Sequence, residues 1–135
     1  MNGNKAQEQV SSKKLLVVED DLILRRALTD ELTGEGFRVF QAGDGEAGLQ
    51  MAFQERPDLI LLDIIMPKFD GLTVMQKIRR DEWGKTVPII IFTVLEPDDT
   101  ILKIIDKNAP AHYLVKSKWK LEDVVKKVKA VLFSQ

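Results

Sequence analysis

Along the chain, apolar positions gather into five short runs, KLLVVE, FRVFQA, DLILLD, VPIIIFT and AHYLVK, each separated from the next by a segment of helical length. Short strands alternating with helices predict an α/β fold built on a parallel sheet. DLILLD and PIIIF are almost continuous in apolar residues, which suits central strands covered by helices on both faces. Between strands the period lengthens. Leu24, Ala27, Leu28, Glu31 and Leu32 keep a mostly apolar helical spacing, with Gly34 and Gly36 as stop signals. Asp44 reads as the cap of a second helix running to Glu55, a third helix follows Gly71, and a fourth begins between Pro97 and Asp99. The fifth carries Leu121, Val124, Val125, Val128, Val131 and Leu132 on one face.

With 135 residues the chain suits one compact domain, expected over residues 13–135, and its polar start predicts a disordered tail over 1–12. That start is no signal peptide, and no apolar run approaches the roughly 18 residues of a membrane span. A cytoplasmic protein with no membrane partner is expected. The formal net charge of −1 lacks the basic excess of a nucleic-acid binder, so direct DNA binding is not expected. The absence of cysteine excludes disulfides and thiolate metal sites.

In a doubly wound parallel sheet the strands present their C-terminal ends at one edge, where ligands bind. Here those ends carry Glu19, Asp20 and Asp21 on the first strand, Asp63 on the third, Thr93 on the fourth and Lys116 on the fifth. Clustered carboxylates repel one another unless a cation sits among them, and an all-oxygen donor set suits a hard divalent ion such as Mg2+. An aspartate beside such an ion can act as a nucleophile toward a phosphoryl group. Lys116 then suits a phosphate oxygen as a point charge, and Thr93 can donate its hydroxyl to another. Of the neighbouring acids, Asp21 is expected to cap the first helix and Asp20 to be free for the metal.

The segments LLVVEDD, LLDIIMPKFDG, IFT and YLVK stand in the order and spacing of receiver domains of two-component response regulators, a resemblance covering about Lys14 to Leu132. It implies a flavodoxin-like fold, a five-stranded sheet of order 2-1-3-4-5 with five helices. It further implies that Asp63 is the phosphoacceptor, accepting from a sensor histidine kinase or a histidine phosphotransfer protein. Mg2+ is then held by Asp20, Asp63 and the main-chain carbonyl of Ile65, with Glu19 joining through water. Thr93 is the switch hydroxyl, Lys116 the phosphate-pairing lysine, and Tyr113 occupies the place of the switch aromatic. Such a domain is a regulatory phosphoacceptor, not an enzyme acting on external substrates. Its output is expected through protein contacts on the fourth helix, fifth strand and fifth helix, to a target the sequence does not name. The alternative is a phosphate-independent binding module of the same fold.

Two decoys are set aside. Gly43-Asp44-Gly45-Glu46-Ala47-Gly48 matches a dinucleotide fingerprint in spacing, but Asp44 and Glu46 put carboxylates where a pyrophosphate would lie, so the glycines are assigned to the turn and cap. Phosphatases with a strand-end nucleophile resemble DxD, whereas Asp63 is followed two residues later by Ile65. Three departures from the receiver pattern stand out. Ser117 replaces the usual proline after the lysine, which leaves the placement of Lys116 open. Val94 replaces a small residue after Thr93, and Asn108-Ala109-Pro110 replaces a glycine-containing turn. Ile65, Val94 and Leu95 set three apolar side chains around Asp63, predicting restricted water approach and slow self-dephosphorylation.

Overall fold

The computed structural model describes residues 13–133; the tail expected over 1–12 lies outside the described residues. Five strands, β1 (Lys14–Val18), β2 (Arg38–Ala42), β3 (Leu59–Leu62), β4 (Ile89–Thr93) and β5 (His112–Val115), alternate with five helices. The helices are α1 (Leu22–Gly34), α2 (Gly45–Glu55), α3 (Gly71–Arg79), α4 (Asp99–Asn108) and α5 (Leu121–Phe133). The strands pair in parallel in the order β2-β1-β3-β4-β5, the order that the resemblance to receiver domains implies. Apolar continuity and position in the sheet agree. Every residue of β3 and β4 is buried, while β2, at the edge, keeps a single buried residue, Ala42.

Alternation along each strand sorts the core into two layers. Leu15, Val17, Leu59, Leu61, Ile90 and Phe92 face one way and pack with Leu28 and Leu32 of α1 and Val124, Val125 and Val128 of α5. Leu16, Val18, Ile60, Leu62, Ile89 and Ile91 face the other way, against Ala52 of α2 and Val74, Met75 and Ile78 of α3. Truncating a fully buried aliphatic here, Ile60 for instance, is expected to cost about 2–5 kcal/mol. No helix among the described residues is long and apolar enough to cross a membrane.

The GxGxxG stretch has a different purpose from the one its spacing suggested. None of its glycines takes a positive φ, so they do not serve the turn as expected. They permit close packing: a Cβ on Gly45 would lie 1.8 Å from the Phe69 carbonyl oxygen, and one on Gly48 2.7 Å from Val18 Cγ1. At the other departure, Ala109 adopts φ 43, the left-handed conformation that a glycine would supply, so the turn into β5 keeps its shape.

Candidate functional site

Because each helix follows a strand, helix N-termini and strand C-termini share one edge, and the acids there fall into two groups. One group caps helices. Asp21 accepts from the Ile23 and Leu24 N–H groups at 3.0 and 3.2 Å, and Asp44, Asp70 and Asp98 cap α2, α3 and α4. The second group, Glu19, Asp20 and Asp63, caps no helix, and one carboxylate oxygen from each lies within 4.8 Å of the other two. The division between Asp20 and Asp21 expected from sequence is thus seen as far as the cap is concerned.

Within the cluster Glu19 is 2% and Asp63 5% exposed, whereas Asp20 opens to solvent. Lys116 Nζ reaches both buried acids, at 2.7 Å from Glu19 Oε1 and 3.0 Å from Asp63 Oδ2. Asp63 Oδ1 accepts the Ile64 N–H at 2.7 Å and Glu19 Oε2 the Asp21 N–H at 3.1 Å. The Glu19 carboxyl is pushed up to about 7, by burial above all and by the Asp63 charge, against the downward pull of Lys116 and the Asp21 N–H. For Lys116, burial pulls the pKa down, but the bonds to Glu19 and Asp63 outweigh it and the net shift is upward. The lysine reaches the acids although Ser117 follows it, and no cis peptide occurs among the described residues. Lys116–Lys118 forms a short 3-10 turn, with the ammonium seated on Asp63.

Each of these groups lies at or just past a strand end. Asp63 directly follows β3, its N–H bonded to the Val18 carbonyl at 3.0 Å. The loop after it doubles back tightly, since a Cβ on Gly71 would fall 1.9 Å from the Asp63 carbonyl oxygen. Any side chain at 71 would push this loop away from the acid. Ile65, in that loop, is 50% exposed, and Val94, after β4, is 59% exposed.

Thr93 is fully buried, and its Oγ1 has no hydrogen-bond partner. A buried hydroxyl left unpaired costs about 1–3 kcal/mol, so this one is suited to a ligand oxygen. Tyr113 packs on the α2/α3 side of the sheet and donates its hydroxyl to the Leu95 carbonyl at 2.8 Å. Burial, followed by the charges of Glu96, Asp98 and Asp63, raises its pKa. It thereby ties β5 to the loop that follows Thr93.

Glu19, Asp20 and Asp63 bring oxygen donors alone together here, with the Lys116 ammonium on two of them. The donor set fits a hard ion such as Mg2+. Sequence reasoning missed two residues here. Gly71 was read only as a helix start, although a glycine closing so short a loop signals close backbone approach. Arg25 lies in the helical period of α1 and gave no signal, yet its Nη1 donates to the Glu19 carbonyl at 2.9 Å.

The profile of the response regulator receiver domain matches residues 15–129. The chain is 35% identical over 119 residues to the DNA-binding dual master transcriptional regulator RpaA of Synechocystis, covering 88% of this chain and 48% of that protein. It thus spans about half the length of that relative. Among solved structures it is similar to the Vibrio cholerae chemotaxis protein CheY4, with TM-score 0.80 and 28% identity over 89% of this chain and 98% of that one. It is also similar to a chain of the CheX-CheY-BeF3-Mg+2 complex of Borrelia burgdorferi, with TM-score 0.77 and 27% identity over 88% of each. With its sheet order, the acids beyond β1 and β3 and the lysine beyond β5, this chain belongs to the response regulator receiver domain family, a family of regulatory domains.

Proposed function

We propose that this chain is a phosphorylation switch in which Asp63 accepts a phosphoryl group from a sensor histidine kinase or a histidine phosphotransfer protein. The observation that carries the reading is Asp63 itself, an almost fully buried carboxylate that sits among two further acids with Lys116 on one of its oxygens. Asp20, Asp63 and the Ile65 carbonyl would hold Mg2+ directly, with Glu19 joining through water. The bound ion supplies charge neutralisation for the phosphoryl oxygens. The Asp63 carboxylate forms the O–P bond as the N–P bond of a phosphohistidine breaks and its electron pair returns to the imidazole. Lys116, already seated on Asp63, offers its ammonium to one phosphoryl oxygen, and the unpaired Thr93 hydroxyl offers a bond to another.

Reading-out then runs through Tyr113, whose bond to the Leu95 carbonyl couples β5 to the loop beyond Thr93. A change in that loop when Thr93 bonds phosphate alters what holds the tyrosine. The signal passes on by protein contacts in the cytoplasm; the DNA binding in the Synechocystis relative's name belongs to a protein of which this chain covers 48%. The complex named for the Borrelia neighbour, which pairs Mg2+ with beryllium fluoride, supports the cofactor assignment.

Incubation with Mg2+ and acetyl phosphate, followed by intact-mass spectrometry, tests the reading. One phosphoryl group is expected on the wild type, and Asp63→Asn is expected to remove it. Modification of the Asp63→Asn protein at another residue would refute Asp63 as acceptor. No uptake by the wild type from acetyl phosphate or from a phosphorylated histidine donor would favour a phosphate-independent binding module.

A further inference from the structure

Arg25 lies in α1, one turn beyond the capping Asp21, and its guanidinium returns to the loop that carries Glu19 and Asp20. Nη1 donates to the Glu19 main-chain carbonyl at 2.9 Å. The same group is seated on the loop after β2, where a Cβ added to Gly43 would meet Nη1 at 2.8 Å and Cζ at 3.5 Å. Among the described residues Arg25 forms no salt bridge. Its Nε is buried with no hydrogen-bond partner.

An unpaired buried donor works against stability, and an apolar side chain of similar length would fill this space without it. What Nη1 holds therefore explains the arginine better than folding does. The carbonyl it bonds belongs to the peptide joining Glu19 to Asp20. That peptide sets the directions in which two carboxylates leave the chain, one buried against Lys116 and one open to solvent.

We propose that Arg25 is the positioning residue of the cation site: it fixes the Glu19–Asp20 peptide, with Gly43 leaving room for the guanidinium, and so sets the affinity for Mg2+. This rests on reading Glu19, Asp20 and Asp63 as that site. Two effects of opposite sign make it testable. As a cation near a cation site, Arg25 by charge alone would weaken Mg2+ binding, and its loss would strengthen it. As the holder of the peptide, its loss weakens binding. The second effect dominates, because the guanidinium bonds a main-chain oxygen and no carboxylate.

Calorimetric titration of the full chain with MgCl2 decides between them, alongside thermal unfolding of each metal-free protein as a measure of folding. Arg25→Met is expected to bind Mg2+ roughly tenfold more weakly, the low end for groups that support ligands from outside. Arg25→Lys, keeping the charge and one donor, loses less. Gly43→Ala keeps every charge but displaces the guanidinium, and is expected to fall between the wild type and Arg25→Met. Should Arg25→Met fail to fold, the other two variants carry the test. Affinity unchanged or increased in Arg25→Met, or unchanged in both Arg25→Lys and Gly43→Ala, overturns the positioning role while leaving the cation site standing. A wild type that takes up no Mg2+ overturns the site and the proposal together.

Discussion

The two ends of the sheet each hold a partly buried cation, and the two are answered in opposite ways. At the N-terminal edge of the strands Arg79 spends its guanidinium on neutral carbonyls. It donates to Asn108, Gly84 and Val87 at 2.7, 2.8 and 2.7 Å and to Ala109 at 3.3 Å. These bonds tie the end of α3 to the approach to β4 and to the left-handed turn after α4. At the C-terminal edge Lys116 is shared between Glu19 and Asp63, with Asp20 beside them and the Thr93 hydroxyl unpaired. One end is complete within the chain itself. The other keeps three acids around one lysine and an unsatisfied donor, an arrangement open to a ligand. On the proposed function, stability and function lie at opposite ends of the same strands.

The contrast breaks most visibly at Arg79. Arg79→Met leaves several partly buried carbonyls without a donor and is expected to destabilise the protein by about 2–3 kcal/mol, measured by urea unfolding. Phosphorylation of the folded fraction should be unaffected. At the opposite end, Asp63→Asn should cost little stability or increase it, since it removes one charge from a crowded group. If the two substitutions destabilise equally, the ends do not differ in the way described.

Next in size is the pair Asp20 and Asp21. Asp20→Ala is expected to weaken Mg2+ binding at least tenfold. Asp21→Ala should leave that affinity near the wild-type value and instead cost about 1 kcal/mol of stability through the lost cap. Equal effects of the two on Mg2+ titration would show that Asp20 has no special part in holding the ion.

A smaller effect follows from the raised pKa of Glu19. Between its ordinary value of 4.5 and about 7, the folded metal-free protein keeps a proton that the unfolded chain has released. The folded state therefore binds more protons than the unfolded one, and stability falls as pH rises through that window. The upward shift of Lys116 acts only at higher pH and does not offset this. Unfolding measured across the window should show the fall in metal-free wild type, with a flatter profile in Glu19→Gln and in wild type saturated with Mg2+. A metal-free wild type that gains stability across this window would mean that Lys116 outweighs burial at Glu19.

How much of this was legible beforehand depended on whether a residue's role is local or relational. The split of the core into two layers follows from periodicity, because alternation along β1, β3 and β4 dictates which side chains meet α1 and α5 and which meet α2 and α3, whereas the strand order came from the resemblance to receiver domains. The cluster was legible because topology brings strand ends together whatever lies between them. Arg25 and Arg79 were not legible, since each acts through its side chain on main-chain carbonyls, and a carbonyl leaves no mark in the sequence. The glycines at 45 and 48 were misassigned for a similar reason, as the atoms they make room for belong to Phe69 and Val18. What Ser117 does to Lys116 was left open by the sequence; in the structure the lysine reaches Asp63 without the proline.

The smallest predicted effect, on the lifetime of the phosphorylated form, sharpens the picture of the edge that carries Asp63. The sequence suggested that Ile65, Val94 and Leu95 would give a water at Asp63 no hydrogen bond and would also restrict its approach. In the structure Ile65 and Val94 are 50% and 59% exposed, too open to solvent to shut water out by bulk. What they withhold is hydrogen bonding. Hydrolysis needs a water in line behind phosphorus, and none of these side chains can orient one. Two double variants separate bulk from polarity. Ile65→Ala with Val94→Ala removes bulk without adding a polar group, and decay of the phosphorylated protein should barely change. Ile65→Asn with Leu95→Glu supplies groups that can hold the water, and leaves intact the Leu95 main-chain carbonyl that Tyr113 bonds. Its decay, followed by loss of phosphoryl mass after the donor is removed, should be several-fold faster than wild type. Faster decay in the alanine pair with none in the polar pair would make bulk the controlling factor after all.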